Sequence, residues 1–277
     1  MRVFKILTIF SLFIYFLCII IDVIHDEWQA KIKFKYIYKD NLINNGQKRI
    51  VLYGSSHCDY GLSAREISKK TKIKTINLCN YGIERKRYFK KFKSELISQL
   101  GENDILLYSF RLNIKKTELE EDGILGLLLP QIRIAILRFY KHLLDEKEVF
   151  DEFGDRIYYP RTERKFNYPK YVIKYDEINK HINMKIDDFK NDKNIKSKII
   201  IAIVPILIDD EKKIDLNQII YNCNINCENL IDFIQPSIIT DKKYYNTIGA
   251  EHFNPELGRK LWTKLIIKNL IKNNIHN

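Results

Sequence analysis

Short apolar runs alternate with longer stretches of helical period along most of the chain. The apolar runs are nearly continuous in Ile, Leu and Val, as expected for parallel strands that are covered on both faces. They predict strands at residues 49–53, 74–78, 104–110, 198–204 and 229–233. Strands that alternate with helical segments are typical of α/β proteins, so we expect a mainly parallel five-stranded sheet flanked by helices.

Two segments between the predicted strands have the features of helices that cover the sheet. Ser63 and Glu66 have the spacing of a capping box, in which Ser63 accepts from the Glu66 amide and Glu66 reaches back. This box predicts a helix that begins at about Ala64. After the second strand, apolar residues recur at helical spacing, at Tyr88, Phe89, Phe92, Leu96 and Leu100. We therefore expect an amphipathic helix there.

The pattern changes between about residues 115 and 194, where the chain is highly charged. Two apolar runs of helical period lie within this stretch, at 124–129 and 132–144. We interpret the stretch as a helical insertion between the third and fourth strands. The apolar face of such an insertion can rest on a bilayer or form a lid.

The N-terminal segment carries the longest apolar run. Residues 6–21 contain no charged side chain, and the segment continues through Asp22 to Ile24. A helix rises about 1.5 Å per residue, so residues 6–24 would span close to the roughly 30 Å hydrocarbon core of a bilayer. We expect a transmembrane anchor at 1–25, a connector at 26–48 and one α/β domain at 49–277.

Charged residues on either side of the predicted anchor indicate its orientation. Arg2 and Lys5 precede it and acidic residues follow it, which places the N-terminus in the cytoplasm and the main domain outside. The lysines at 31–39 also lie close enough to the predicted helix to influence its orientation, and they favour the opposite one. A cleaved signal peptide is the alternative, but such peptides have shorter apolar regions that end at small residues. We therefore expect a single-pass membrane protein with an extracytoplasmic domain.

Charge and cysteine content add little to this picture. The net charge is +12, from 47 Lys and Arg against 35 Asp and Glu, but the basic residues are scattered along the chain. We expect no nucleic-acid partner, because an extracytoplasmic domain rarely meets one. The five cysteines are too few and too irregularly spaced for a disulfide framework. Cys223 and Cys227 alone have a suggestive spacing, which leaves ordinary loop thiols, a local disulfide and a metal site open.

Candidate chemistry lies where the first predicted strand ends. The sequence Gly-Ser-Ser-His at 54–57 places Ser56 at the carboxyl end of that strand, the edge at which open α/β sheets bind ligands. A serine hydroxyl is inert at neutral pH unless a base takes its proton. His252, near the other end of the chain, is the candidate base. His57 is the alternative, but adjacent residues of an extended strand point to opposite sides.

Three motifs follow one another at predicted strand ends or near the C-terminus. They are Gly-Ser-Ser at 54–56, Asn-Leu-Cys-Asn-Tyr-Gly at 77–82 and His-Phe-Asn-Pro-Glu-Leu-Gly at 252–258. Their order and placement resemble the conserved blocks of the SGNH (GDSL-type) hydrolases and their membrane-anchored relatives in cell-envelope polysaccharide modification. The resemblance covers about residues 49–270 apart from the insertion, and it implies an SGNH/flavodoxin-like fold.

The resemblance also implies roles for particular residues. Ser56 would attack an ester carbonyl and His252 would relay the proton, while the amides of Ser56 and Gly82 would stabilise the oxyanion. The third block of the family is Gly-x-Asn-Asp, but here the third strand is followed by Arg-Leu-Asn, with Asn113 as the candidate substitute.

One residue of the family pattern is missing. The family places an Asp three residues before the histidine, whereas position 249 is Gly. Glu251 and Asn246 are the candidates to orient the histidine in its place. A histidine without its carboxylate is less well oriented and its imidazolium is less stabilised.

The function implied is that of a membrane-anchored serine esterase or O-acyltransferase that acts on a cell-envelope polysaccharide, with O-acetyl as the expected group. Such an enzyme needs no metal or organic cofactor. Its expected partners are a glycan or acyl ester substrate, the membrane and a membrane-bound acyltransferase. The missing Asp motivates the alternative of a catalytically inert SGNH-like accessory protein that binds glycan or a membrane acyltransferase.

Overall fold

The computed structural model describes residues 47–79, 86–112, 114–116, 150–157, 171–190, 195–220, 230–245 and 252–275, and a few positions between 13 and 24. Most of the predicted anchor and both apolar runs of the predicted insertion lie outside these residues. Within the described part of the chain, no helix combines the length and the apolar character that a membrane crossing requires.

Five parallel strands form one central sheet. They are β1 (Arg49–Gly54), β2 (Lys74–Asn77), β3 (Ile105–Phe110), β4 (Lys198–Ile203) and β5 (Leu230–Ile234). Their order in the sheet is β2-β1-β3-β4-β5, and every neighbouring pair is parallel. The α/β prediction and all five predicted strands are confirmed, and no strand end differs from its prediction by more than one residue.

Burial on both faces explains why the strands are apolar runs rather than alternating ones. Every residue of β1 is buried, with Ile50 and Leu52 in one core and Val51 and Tyr53 in the other. A strand that alternates between two cores has no solvent face, so the positions after its first residue are apolar. The charged first residue, Arg49, is buried and donates from Nε to Asp104 Oδ1 at 2.8 Å.

Helices cover both faces of the sheet. On one face lie α1 (Ser56–Gly61), α2 (Ala64–Thr71) and α5 (Gly258–Lys272). On the other lie α3 (Lys86–Gln99) and α4 (Tyr175–Lys190). The predicted start of α2 at Ala64 and the predicted amphipathic helix after the second strand are therefore confirmed, whereas α1 was not predicted.

The described part of the predicted insertion contains strand pairing as well as helix. Lys115–Lys116 pairs antiparallel with Tyr171–Val172, and Phe150 forms an isolated bridge with Arg156. Only α4 at its end is helical among the insertion residues that the structure describes. The sequence did not predict this strand pairing, because two-residue ladders leave no periodic pattern, while the two apolar runs predicted as helical stay untested.

Short elements extend the chain beyond the sheet. Ile206–Leu207 and Ile238–Ile239 form a two-stranded parallel ladder after β4 and β5. Single turns of 3-10 helix lie at Glu211–Lys213, Leu216–Gln218 and Lys242–Tyr244. These elements add to the carboxyl-end side of the sheet, where the candidate chemistry lies.

The strand order creates a crevice at the carboxyl ends of β1 and β3. The chain goes from β1 to β2 on one side of the sheet and then crosses to β3 on the other, so the order reverses at β1. Ligands of open α/β sheets bind outside the carboxyl ends of the strands at such a point. The two strands approach closely there: a Cβ on Gly54 would lie only 2.2 Å from the carbonyl oxygen of Ser109, so a residue with a side chain would clash.

Candidate active site

The first turn of α1 places Ser56 at this crevice. β1 ends at Gly54, Ser55 is the N-cap, and Ser56 is the first residue of the helix. Ser56 is buried, with 7% of its surface exposed.

His252 reaches the Ser56 hydroxyl from the other end of the chain. The distance between His252 Nε2 and Ser56 Oγ is 2.9 Å, although 196 positions separate the two residues in the sequence. This is a hydrogen-bond distance, and it is the geometry required of a base that takes a serine proton. The structure thus brings together the two residues that the motifs pair, while their catalytic roles stay a prediction.

His57 lies beside this pair rather than on the opposite side. Its ring stacks on that of His252, with 4.9 Å between the centroids and 15° between the planes. Its Nδ1 lies 3.2 Å from Ser55 Oγ. The expectation that His57 points away was wrong, because it assumed an extended strand where the chain has already entered α1.

Tyr60 is a second ring neighbour of His252 that the sequence analysis missed. The centroids of the two rings are 5.0 Å apart and the planes are tilted by 51°. Tyr60 follows Ser56 by four positions, which places both on one face of a helix. That spacing was the available signal, and it becomes informative only once Ser56–Gly61 is known to be helical.

A buried ion pair connects α1 to the segment 150–157. Arg156 contacts Asp59 with 2.6 Å between Nη2 and Oδ2, and both side chains are at most 1% exposed. The guanidinium also lies over two rings, 5.0 Å from the centroid of Tyr60 and 4.9 Å from that of Phe150. The segment 150–157 therefore contacts the helix that carries Ser56.

Asp155 from the same segment caps α2. Its carboxylate accepts from Ser63 Oγ at 2.7 Å, from the Ala64 amide at 2.8 Å and from the Arg65 amide at 3.1 Å. A carboxylate at a helix N-terminus satisfies free amides and interacts favourably with the helix dipole. This cap comes from about 90 residues away in the sequence, and no local pattern predicts it.

The capping box itself is only half formed. Ser63 Oγ accepts from the Glu66 amide at 3.2 Å, as predicted. The Ser63 amide, which Glu66 was expected to bond, donates instead to Thr263 Oγ1 at 3.1 Å. Packing of α5 against α2 thus replaces one local bond of the box with a tertiary one.

A disulfide between Cys58 and Cys79 joins α1 to the segment that follows β2. Both residues are fully buried. The sequence does not predict this disulfide, because the spacing of the two residues carries no signal. The bridge forms because β1 and β2 are neighbours in the sheet, so the chain segments after their carboxyl ends lie side by side.

We expect reduction of this disulfide to destabilise the domain. The bridge closes a loop of 21 residues, for which loop entropy predicts a loss of about 3 kcal/mol in the free energy of unfolding. Urea unfolding with and without a thiol reductant measures the loss. The control is the Cys58→Ala/Cys79→Ala double variant, which keeps the other cysteines and should not respond to the reductant. Equal responses of the wild type and this variant would contradict the prediction.

The remaining predicted site residues lie outside the described residues. These are the oxyanion-hole candidates Gly82 and Asn113 and the orienting candidates Glu251 and Asn246. Cys223 and Cys227 also lie outside them. Their roles stay predictions.

A small, open crevice lies beside His57 at the carboxyl ends of β3 and β4. Arg111 provides a positive charge in its lining, and the aromatic rings of Tyr171 and Tyr245 and several aliphatic side chains provide the rest. Because the His57 ring also stacks on His252, the crevice is adjacent to the Ser56–His252 pair.

The half-buried His181 and the buried Tyr53 are neutral at neutral pH. Burial lowers the pKa of His181, and the charge of Lys185 lowers it further. His181 Nε2 lies 3.3 Å from the carbonyl oxygen of Arg111. Burial also raises the pKa of the Tyr53 hydroxyl on β1, with a smaller contribution from Asp188. Neither group adds a charge to this end of the sheet.

Comparisons with protein-family models, curated proteins and solved structures found no match to this chain. The geometry of the Ser56–His252 pair and the motifs that contain these residues are therefore what indicates a function.

Proposed function

We propose that this chain is a membrane-anchored serine esterase or O-acyltransferase that acts on acyl esters, with acetyl the expected group, of a cell-envelope polysaccharide. The observation that carries the proposal is the 2.9 Å contact between Ser56 Oγ and His252 Nε2 at the carboxyl edge of the sheet. A serine that is bonded to an imidazole in a crevice is the arrangement of an activated nucleophile.

The proposed reaction proceeds in two steps. Ser56 Oγ attacks the ester carbonyl while His252 Nε2 takes its proton, and the imidazolium then protonates the leaving alcohol. The acyl-serine is released when His252 activates water, in an esterase, or a sugar hydroxyl, in a transferase. The Ser56 amide, the Gly82 amide and Asn113 are the proposed oxyanion donors. This mechanism requires no metal or cofactor.

The fold supports the resemblance to SGNH hydrolases. The strand order 2-1-3-4-5 is that of flavodoxin-like sheets, whose ligands bind at the β1/β3 switch point. Ser56 follows β1 at this point, and His252 precedes α5 near the C-terminus. These are the positions that the first and last motifs of the family imply.

The disulfide supports a location outside the cytoplasm. Disulfides form and persist in oxidising compartments and are rare in the cytosol. The Cys58–Cys79 bridge is fully buried and lies directly beneath the candidate site. It agrees with the proposed topology, in which residues 1–25 anchor the chain, the N-terminus is cytoplasmic and the main domain meets envelope glycans.

The second candidate is an inert SGNH-like accessory protein that binds glycan or a membrane-bound acyltransferase. The observation that favours it is Gly249, which stands where the family has the Asp that orients the histidine. The two candidates differ in whether Ser56 is nucleophilic.

Labelling of the full-length chain with a fluorophosphonate separates them. We expect the wild type to be modified at Ser56, because only an activated serine hydroxyl attacks such a reagent. Ser56→Ala should abolish the label, whereas Ser98→Ala, at an exposed serine of α3, should retain it. A wild-type chain that stays unlabelled would exclude the enzyme and leave the accessory protein.

A further inference from the structure

The imidazole of His252 contacts two rings that both come from α1. His57 stacks on it at 4.9 Å and Tyr60 lies at 5.0 Å, as centroid distances. We call His57 and Tyr60 the α1 ring pair. Because Ser56 belongs to the same helix, one short element carries the nucleophile and both rings that touch its base.

The base needs such contacts to act. Rotation about either side-chain torsion of His252 would move Nε2 away from Ser56 Oγ, and small displacements of a catalytic group are costly to the rate. Ring contacts restrict both torsions, because aromatic groups prefer stacked or tilted arrangements at these separations. A carboxylate bonded to the ring would add orientation and charge stabilisation, whereas ring contacts contribute to orientation alone.

The ring pair is itself held in place. The two residues between His57 and Tyr60 are fixed by tertiary contacts: Cys58 by the disulfide to Cys79 and Asp59 by the buried ion pair with Arg156. Arg156 also lies over the ring of Tyr60. The rings therefore project from a helix that is fixed at two adjacent residues.

The close packing of α1 on α5 adds a third constraint. A Cβ on Gly61, the last residue of α1, would lie 2.4 Å from Cε3 of Trp262. α1 and α5 therefore approach each other more closely than a larger side chain allows. His252 lies just before α5, so the same packing keeps the base near the helix that carries Ser56.

We propose that His57 and Tyr60 are positioning residues that hold the His252 imidazole with Nε2 directed at Ser56 Oγ. The expected change in the rate of hydrolysis rests on the proposed function, whereas the expected change in the orientation of the His252 imidazole does not. The ring pair acts on the orientation of the base, so its loss lowers kcat and leaves substrate binding largely unchanged.

Matched substitutions of Tyr60 test the proposal. Tyr60→Phe keeps the ring, and Tyr60→Leu replaces it with a branched apolar side chain. For hydrolysis of an aryl acetate we expect Tyr60→Leu to lower kcat by about ten- to a hundredfold with little change in KM, and Tyr60→Phe to stay close to the wild type. His57→Phe and His57→Ala form a second pair, in which the ring-retaining variant should be the more active.

Nuclear magnetic resonance gives a readout that needs no turnover. The ring resonances of His252 in a histidine-labelled chain are assigned by their loss in His252→Gln. They should move in Tyr60→Leu and in His57→Ala, and should change less in the two ring-retaining variants. Unfolding midpoints of the four variants separate a moved ring from a damaged fold.

The outcomes distinguish this inference from the proposed function. Equal kcat values for Tyr60→Leu and Tyr60→Phe, with unmoved His252 resonances, would overturn the positioning role even in an active enzyme. A wild-type chain that neither hydrolyses esters nor labels at Ser56 would overturn the proposed function alone. The His252 resonances would then still decide whether the ring pair holds the imidazole.

Discussion

Ser56→Ala and His252→Ala are each expected to lower kcat for ester hydrolysis by at least about 10³-fold, and the double variant should be no slower than the slower single one. The reason is that the two residues act as one unit, with Oγ 2.9 Å from Nε2. Once either is gone, the other has no reacting partner. Steady-state kinetics with an aryl acetate measure all three variants.

A serine far from the site supplies the control for these substitutions. Ser98 is exposed on α3, and its hydroxyl donates to the Glu95 carbonyl 2.7 Å away. Ser98→Ala should therefore retain wild-type kinetics. If the losses of Ser56→Ala and His252→Ala multiplied in the double variant, the two residues would act independently and the proposed pair would be wrong.

Arg156→Met is expected to produce the largest loss of stability. It leaves the Asp59 carboxylate buried without its guanidinium, and breaking a buried pair in this way costs about 3–5 kcal/mol in the free energy of unfolding. Urea unfolding followed by Trp fluorescence suits the measurement, because Trp262 is 2% exposed and packs near α1. The double variant Asp59→Leu/Arg156→Met should recover much of the loss, because no unpaired charge remains.

Arg65 offers a matched arginine on the surface. It contacts Asp151 at 3.1 Å and Glu152 at 3.0 Å, and its side chain is 50% exposed. Solvent screens such pairs, so Arg65→Met should cost less than about 1 kcal/mol. A cost for Arg156→Met as small as that for Arg65→Met would contradict the importance of the buried pair.

Both predictions concern α1, the element that the sequence did not reveal. A helix of six residues is too short to show a helical period, and isolated helices of this length are unstable in water. Tertiary partners hold it instead, namely Cys79 through the disulfide and Arg156 through the ion pair. For the same reason the position of His57 was predicted wrongly.

The sequence by itself determined the sheet and the serine and histidine of the candidate site. Strands buried on both faces are apolar at most positions, so the local sequence indicates their extent, as at residues 50–53 of β1. The Ser63 cap is equally local, since its bond to the Glu66 amide spans three residues. Ser56 and His252 could be paired because each belongs to a recognisable motif.

The tertiary structure alone decided what surrounds this pair. The Asp155 cap, the Asp59–Arg156 pair and the contacts of His252 with the α1 ring pair all join residues that are distant in sequence. No local pattern records such partners, because they depend on which strand ends the sheet places side by side. The strand order determines which strand ends are neighbours. It places the end of β1 at the crevice, and α1, which follows β1, packs against α5.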